Sequence, residues 1–309
     1  MDTDSHLDAA LRLSLGELTC HPCPPQLSRA LVSAVLPGGG RVRPSLVLAV
    51  TRALSPDDAE AWELSLAGAV AVEFLHCGSL VHDDLPCFDD APVRRGRPSV
   101  QASFGENLAV LTGDALIVAA FQVLARQVTI PRRGALAGRM LTALGQAAGV
   151  PCGIAAGQAW ESEPVIDLKE YHDSKTAALF EASVSLGALA AGAEPAPWRA
   201  VGWRLGEAYQ LADDLADASD RVGRLGKPVG QDARHGRPNA AHELGLAGAT
   251  ARLRGALAGA CEAVPACGAR ADLQEKIRAI GGRLLRLADS NASPTSPNRP
   301  THAALEPAS

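Results

Sequence analysis

The residues best suited to chemistry are aspartates, gathered in two short runs. The first, His82-Asp83-Asp84-Leu85-Pro86-Cys87-Phe88-Asp89-Asp90, ends a strongly apolar segment and is followed at once by Arg94-Arg95-Gly96-Arg97. Four carboxylates this close repel one another and raise each other's pKa, and a divalent cation relieves that repulsion. Oxygen donors without a neighbouring thiolate pair select a hard ion such as Mg2+, which takes one or two carboxylates and completes its shell with waters and substrate phosphates. The second run, Tyr209-Gln210-Leu211-Ala212-Asp213-Asp214-Leu215-Ala216-Asp217, lies in a segment of helical period. Asp213 and Asp217 fall one turn apart on one face, with Gln210 on that side too, and like charges at this spacing weaken a bare helix by about 0.2–0.5 kcal/mol. Taken singly, each run also fits a solvated acidic helix end. Two of them in one helical chain, about 130 residues apart, point to a shared metal–diphosphate site.

Other groups with the right residue types carry less. Cys20-His21-Pro22-Cys23 has metal-like spacing, but no second close Cys or His pair accompanies it, so zinc is set aside. Pro37-Gly38-Gly39-Gly40 lacks the terminal G-K-[ST] and the preceding strand of a P-loop. His76 on a helix reads by itself as a packed, hydrogen-bonded histidine.

The elements that must position these residues are helices. Apolar residues recur at three- and four-residue spacing almost throughout, and β-branched alternation is hard to find, so the fold is expected to be all-α, a single domain of about ten helices over residues 1–287. Ser55-Pro56-Asp57-Asp58 reads as an N-cap serine, an N1 proline and an acidic N3 residue, and Asp167-Leu168-Lys169-Glu170 as a capping box. Loops are expected at 37–40, at Pro131-Arg132-Arg133-Gly134 and from Gly192 to Pro197. Residues 288–309, rich in Pro, Ser, Asn and Ala, are expected to be a disordered tail. The chain of 309 residues has 47% hydrophobic and 20% charged residues and a formal net charge of -5. That composition offers nucleic acid no basic surface. Seven scattered cysteines and a polar, amphipathic start fit a reducing cytoplasm, and the longest apolar run, Ser65 to Val81, is interrupted by Glu73 and His76 and falls short of a membrane span.

The ordered motifs resemble those of the trans-prenyl diphosphate synthases. Asp83 to Asp89 is similar to that family's D-D-x-x-x-x-D motif and Asp213 to Asp217 to its D-D-x-x-D motif. Gly39 to Pro44 resembles its G-G-K-R-x-R-P loop, Gly113-Asp114 its G-D-A-L helix, Gly157-Gln158 its G-Q turn, Lys175-Thr176 its K-T pair and Gly226-Lys227 its G-K loop, over residues 25–260. The wording of 76–100 and 230–240 is nearest to geranylgeranyl diphosphate synthases of purple-bacterial carotenoid and bacteriochlorophyll pathways. The resemblance implies a helical bundle around a deep central cavity, usually a homodimer, with both motifs at its mouth and three Mg2+ bridging them to an allylic diphosphate. Asp83 and Asp89 would bind two ions and Asp213 the third, with Asp84 and Asp217 supporting them through waters or indirect contacts and Asp214 in the same catalytic motif. Arg94, Lys175 and Lys227 match residues on the allylic diphosphate, and Arg43, His76 and Arg95 those against isopentenyl diphosphate. Gln210 and Thr176 match residues whose oxygens face the developing allylic cation.

The implied reaction suits these residue types. Breaking the allylic C–O bond leaves a carbocation and an anionic diphosphate, the double bond of isopentenyl diphosphate forms the new C–C bond, and a proton passes to released pyrophosphate. Positive charge in a dry cavity favours the first step, and orientation of two substrates the second. Gly40 departs from the family's lysine, Gln101 from histidine, Arg237 from lysine and Glu161 from aspartate. Leu75, Gly78 and Ser79, ahead of Asp83, are expected to set product length, with Gly78 and Ser79 leaving room for a twenty-carbon chain, the alternative being that Gly78 only permits close helix packing. A non-catalytic subunit, a farnesyl-length synthase and a class I terpene synthase are the alternatives. Both acidic motifs are intact, which disfavours the silent subunit, and the Arg43, His76 and Arg95 set for a second diphosphate disfavours the terpene synthase.

Overall fold

Alanine, leucine and long straight side chains fill the sequence between its Gly and Pro breaks, and these residues lose little on entering a helix. A computed structural model of the protein describes residues 3–36, 38–218 and 239–288. Lys227, Arg237 and the expected tail beyond 288 lie outside the described residues. The helices are α1 Thr3–Thr19, α2 Pro25–Val35, α3 Val42–Leu54, α4 Ala59–Asp83, α5 Val100–Phe104, α6 Glu106–Val128, α7 Gly134–Ala148, α8 Ile154–Ala159, α9 Leu168–His172, α10 Ala178–Ala190, α11 Arg199–Ala218, α12 Ala240–Glu262 and α13 Arg270–Ala288. Among the described residues ten of them run eleven residues or longer. The expected all-α class is borne out. Strand is confined, among the described residues, to a hairpin of two-residue strands, β1 Val93–Arg94 and β2 Arg97–Pro98.

The α4 helix is the axis. It is apolar on every side and buried along most of its length, against α6, α3 and α10. One apolar cluster joins α1, α2, α4, α6 and α7; a second joins α11, α12 and α13. Opposite sides of α3 and α10 feed both, with Val47, Leu48 and Leu186 in the first and Leu46, Val50 and Phe180 in the second, which welds the bundle into one body. Each fully buried Leu or Phe contributes about 1.5–3 kcal/mol by leaving water. All seven cysteines are free thiols.

One helix start is corrected. Ser55 ends α3, its N–H bonding Thr51 O at 2.8 Å, and Asp58 caps α4 by accepting from Glu60 N and Ala61 N at 2.9 and 3.1 Å. A carboxylate that takes two orphan N–H groups outcompetes a serine three residues upstream. Asp167 caps α9 as expected, accepting from Lys169 N and Glu170 N. By length and hydropathy both α4 and α6 could cross a bilayer. α4 is a core helix; α6 is only partly covered and exposes Val110, Leu111 and Val118.

Candidate active site

The first acidic run forms where α4 stops. Asp83 is its last residue, and its carbonyl accepts Asp89 N at 2.9 Å, while Leu85 O takes Phe88 N and Asp90 N and Asp84 O takes Ala91 N. This closed loop returns Asp89 beside Asp83. The hairpin then turns on Arg95 and Gly96, both at positive φ (53° and 73°), as a two-residue type I′ turn requires. The turn sends Arg94 back onto Asp84, with Nε 2.8 Å from Oδ1 and a second N–H on the same oxygen. Asp84 is 2% exposed. Its burial pushes the carboxyl up to about 6, against the opposite pull of Arg94. Asp83 Oδ1 instead accepts the Gln158 amide at 2.9 Å, a bond that also reaches Ser79 O.

The second run is a straight stretch of α11, where successive residues point about 100° apart. Asp213 faces the cavity. Asp214 turns the other way and is 1% exposed: its Oδ2 accepts Ala240 N, at the start of α12, and its Oδ1 the Gln210 amide, both at 2.8 Å. Asp217 is buried one turn beyond Asp213. Gln210 accepts the Thr176 hydroxyl at 2.6 Å, so the amide spans from the K-T pair to the acidic run.

The basic side comes from the loop before α3. Arg41, at positive φ, pairs with buried Glu73 and donates to Val35 O at 2.8 Å, which anchors it in the cavity wall. Arg43 is buried beneath it, its guanidinium over the rings of Phe180 and Tyr209 at 4.5 and 5.3 Å and 3.5 Å from His76 Nε2. Its Nε is buried without a protein partner, which leaves a donor for a ligand. Burial and then Arg43 hold His76 well below its usual pKa, so the ring is neutral and Nε2 accepts. Lys175 is joined to Glu161, which also takes the Tyr171 hydroxyl at 2.8 Å.

These groups share one cavity of about 300 Å³. Asp83, Asp89, Arg94 and Arg95 line it from one wall, Gln210 and Asp213 from another, Arg43 and His76 from a third side and Lys175 and Thr176 beyond them. Asp84, Asp214 and Asp217 are absent from the lining. Of the residues expected to set product length, Ser79 lines the cavity, whereas Leu75 is packed in the core. Gly78 is absent from the lining and faces α6. A Cβ there would stand 3.1 Å from Gly113 O and 3.3 Å from Leu116 Cβ, so its service is the close approach of α4 to α6. The sequence reading missed Glu73 and Gln158 as site residues. A lone carboxylate in an apolar helix and the quoted G-Q turn were the available signals.

The donors suit magnesium in a particular way. Among the described residues no three His, Cys, Asp or Glu side chains converge on one point. One or two carboxylates on each wall, with guanidinium and ammonium groups between them, match an ion that keeps waters and shares itself with substrate phosphates rather than one held in an all-protein cage.

Known proteins resemble this chain in both sequence and fold. The polyprenyl synthetase profile matches residues 24–267. Geranylgeranyl diphosphate synthase of Cereibacter sphaeroides is 48% identical over 285 residues, covering 92% of this chain and 97% of the relative. That of Rhodobacter capsulatus is 44% identical with the same coverage. Among solved structures, a geranyltransferase from Helicobacter pylori complexed with magnesium and isoprenyl diphosphate superposes with a TM-score of 0.74 at 29% identity, covering 91% of this chain and 97% of that one. The geranylgeranyl pyrophosphate synthetase of Pyrococcus horikoshii gives 0.72 at 29%, covering 89% and 95%. The chain belongs to the polyprenyl synthetase family.

Proposed function

We propose that the protein is a geranylgeranyl diphosphate synthase, a trans-prenyltransferase that joins isopentenyl diphosphate to an allylic diphosphate such as farnesyl diphosphate. The observation that carries this reading is the single cavity between Asp83 and Asp213, with two separate groups of cations on it. Asp83, Asp89 and Asp213 would hold Mg2+, three ions by the family resemblance, and bound ions would neutralise the leaving diphosphate as the allylic C–O bond breaks. Arg94 and Lys175 attract that diphosphate, joined by Lys227 from outside the described residues. Arg43, His76 and Arg95 receive isopentenyl diphosphate; Arg43 offers its unpartnered Nε, and neutral His76, whose Nε2 accepts from Arg43, carries its proton on Nδ1. Thr176 and Gln210 present oxygens to the allylic carbon. With both substrates held in one cavity the cation meets the double bond before water, and the proton leaves with pyrophosphate.

The apolar face of α6, with Leu111 and Val118 seven residues apart and each more than half exposed, supports a homodimer. Sedimentation of purified protein tests that. For the activity, protein is incubated with Mg2+, isopentenyl diphosphate and farnesyl diphosphate and the product is sized. A twenty-carbon product, lost on chelation, is expected; no elongation would leave the silent-subunit reading, and a halt at fifteen carbons from shorter primers the farnesyl-length one.

A further inference from the structure

Between Leu168 and Ala190 the chain is helical throughout, yet Asp173–Ala177 forms one turn of π-helix between α9 and α10. A π-turn carries an extra residue in the ladder and tends to occur at functional sites. This one holds Lys175 and Thr176. Two glycines on neighbouring elements press against its backbone. A Cβ at Gly157 in α8 would overlap the N and Cα of Lys175, and a Cβ at Gly206 in α11 would overlap the Cα of Ala177 and stand 2.8 Å from its Cβ. One turn past Gly206 along α11, Gln210 takes the Thr176 hydroxyl at 2.6 Å, and Asp213 follows three residues later.

We infer that Gly206, with Gly157, is a positioning residue for the reaction: it sets the seam between α11 and the π-turn, and so the placement of Lys175 and Thr176 relative to Gln210 and Asp213. The inference rests on the diphosphate reading of those side chains. It differs from plain packing because α11 supplies its own control. Gly202, one turn before Gly206, presses equally on Glu181 and Phe180, where a Cβ would stand 2.5 Å from Glu181 Cα and 2.8 Å from Phe180 O, but there the neighbour is the regular helix α10, and neither residue lines the cavity.

Gly206→Ala and Gly202→Ala are compared by steady-state kinetics with Mg2+, farnesyl diphosphate and isopentenyl diphosphate, alongside thermal melts. A shift on the order of 1 Å in a reacting group costs about 100-fold, so Gly206→Ala is expected to lose about 100-fold in kcat with KM for isopentenyl diphosphate within about twofold. Gly202→Ala is expected to lower Tm by a similar amount and keep kcat within about threefold, since no reacting group moves. Equal kcat losses in the two variants, or a raised KM for isopentenyl diphosphate at unchanged kcat, overturn the inference. Should Gly206→Ala yield no folded protein, Ala177→Gly loosens the same seam without adding an atom; about a tenfold loss in kcat supports the inference and an unchanged kcat overturns it. An inactive wild type would defeat the synthase reading itself, whereas an active wild type with both glycine variants alike defeats the positioning role alone.

Discussion

The two aspartate walls look alike in sequence and are built differently. Each begins with an Asp-Asp pair, and in each pair the first carboxylate lines the cavity while the second is spent on the protein. Asp84 is consumed by a cation, Arg94, delivered by the hairpin that follows it. Asp214 is consumed by a backbone N–H at the start of α12 and by the Gln210 amide. Adjacent helical residues diverge by about 100°, so one pair cannot aim both carboxylates at one ligand. The doubled aspartate is therefore one cavity-lining group and one anchor, and the anchors fix different things: a loop at the first wall, a helix–helix junction at the second.

Substitutions separate the two roles. Asp213→Asn is expected to lower kcat by about 100- to 1000-fold with little change in melting temperature, the scale of removing a group that stabilises transition-state charge. Asp214→Ala, its neighbour, is expected to act on stability by about 1–3 kcal/mol in urea denaturation, because it strands a buried N–H and an amide. Equal effects of both on kcat would break the division of labour. At the first wall the anchor is an ion pair, so Arg94→Met leaves Asp84 buried and unpaired and should destabilise by about 3 kcal/mol, more than Asp214→Ala does. A smaller loss than at Asp214 would mean that the hairpin does not depend on its arginine.

Smaller effects belong to the basic side. A Cβ at Gly40 would meet only Val42 Cγ2, at an ordinary 3.5 Å, so Gly40→Lys fits the fold. A restored charge-assisted contact of about 1.5 kcal/mol should lower KM for isopentenyl diphosphate about tenfold and leave that for the allylic substrate unchanged. His76 sharpens the contrast through pH. Its folded pKa lies well below the ordinary value, so below about pH 6.5 the unfolded chain binds a proton that the folded chain refuses. Stability conferred by the neutral ring is complete above that pH and falls as pH drops, by up to about 1.4 kcal/mol per unit. His76→Gln should flatten the fall between pH 7.5 and 5.5 by about 1 kcal/mol, and an unaltered slope would show that the ring takes its proton in place.

The sequence told the fold class and the two walls well, because helical period and clustered carboxylates are local signals. It also placed Arg43, His76, Lys175 and Thr176 on one site through the order of the motifs. What it could not tell were matters of direction and distance. Gly78 read either as room in the cavity or as a close helix contact, and only the approach of Gly113 and Leu116 from another helix shows that contact. Ser55 read as a cap and closes the helix before it, because Asp58, accepting from Glu60 N and Ala61 N, starts the next helix three residues later. The divergence of Asp83 from Asp84 needs the hairpin, whose Arg95-Gly96 turn is too short to announce itself as strand. The π-turn at Lys175 has no sequence signature; its cause is tertiary, in the helices packed on both glycines.

Whether the two walls work as one unit is tested most directly by the release of pyrophosphate from farnesyl and isopentenyl diphosphates in Asp83→Asn, Asp213→Asn and the double variant. Residues that act on one bound group are strongly non-additive, so the double variant should fall within about tenfold of the slower single one. Losses that multiply would mean that Asp83 and Asp213 serve separate steps and that no diphosphate is shared across the cavity.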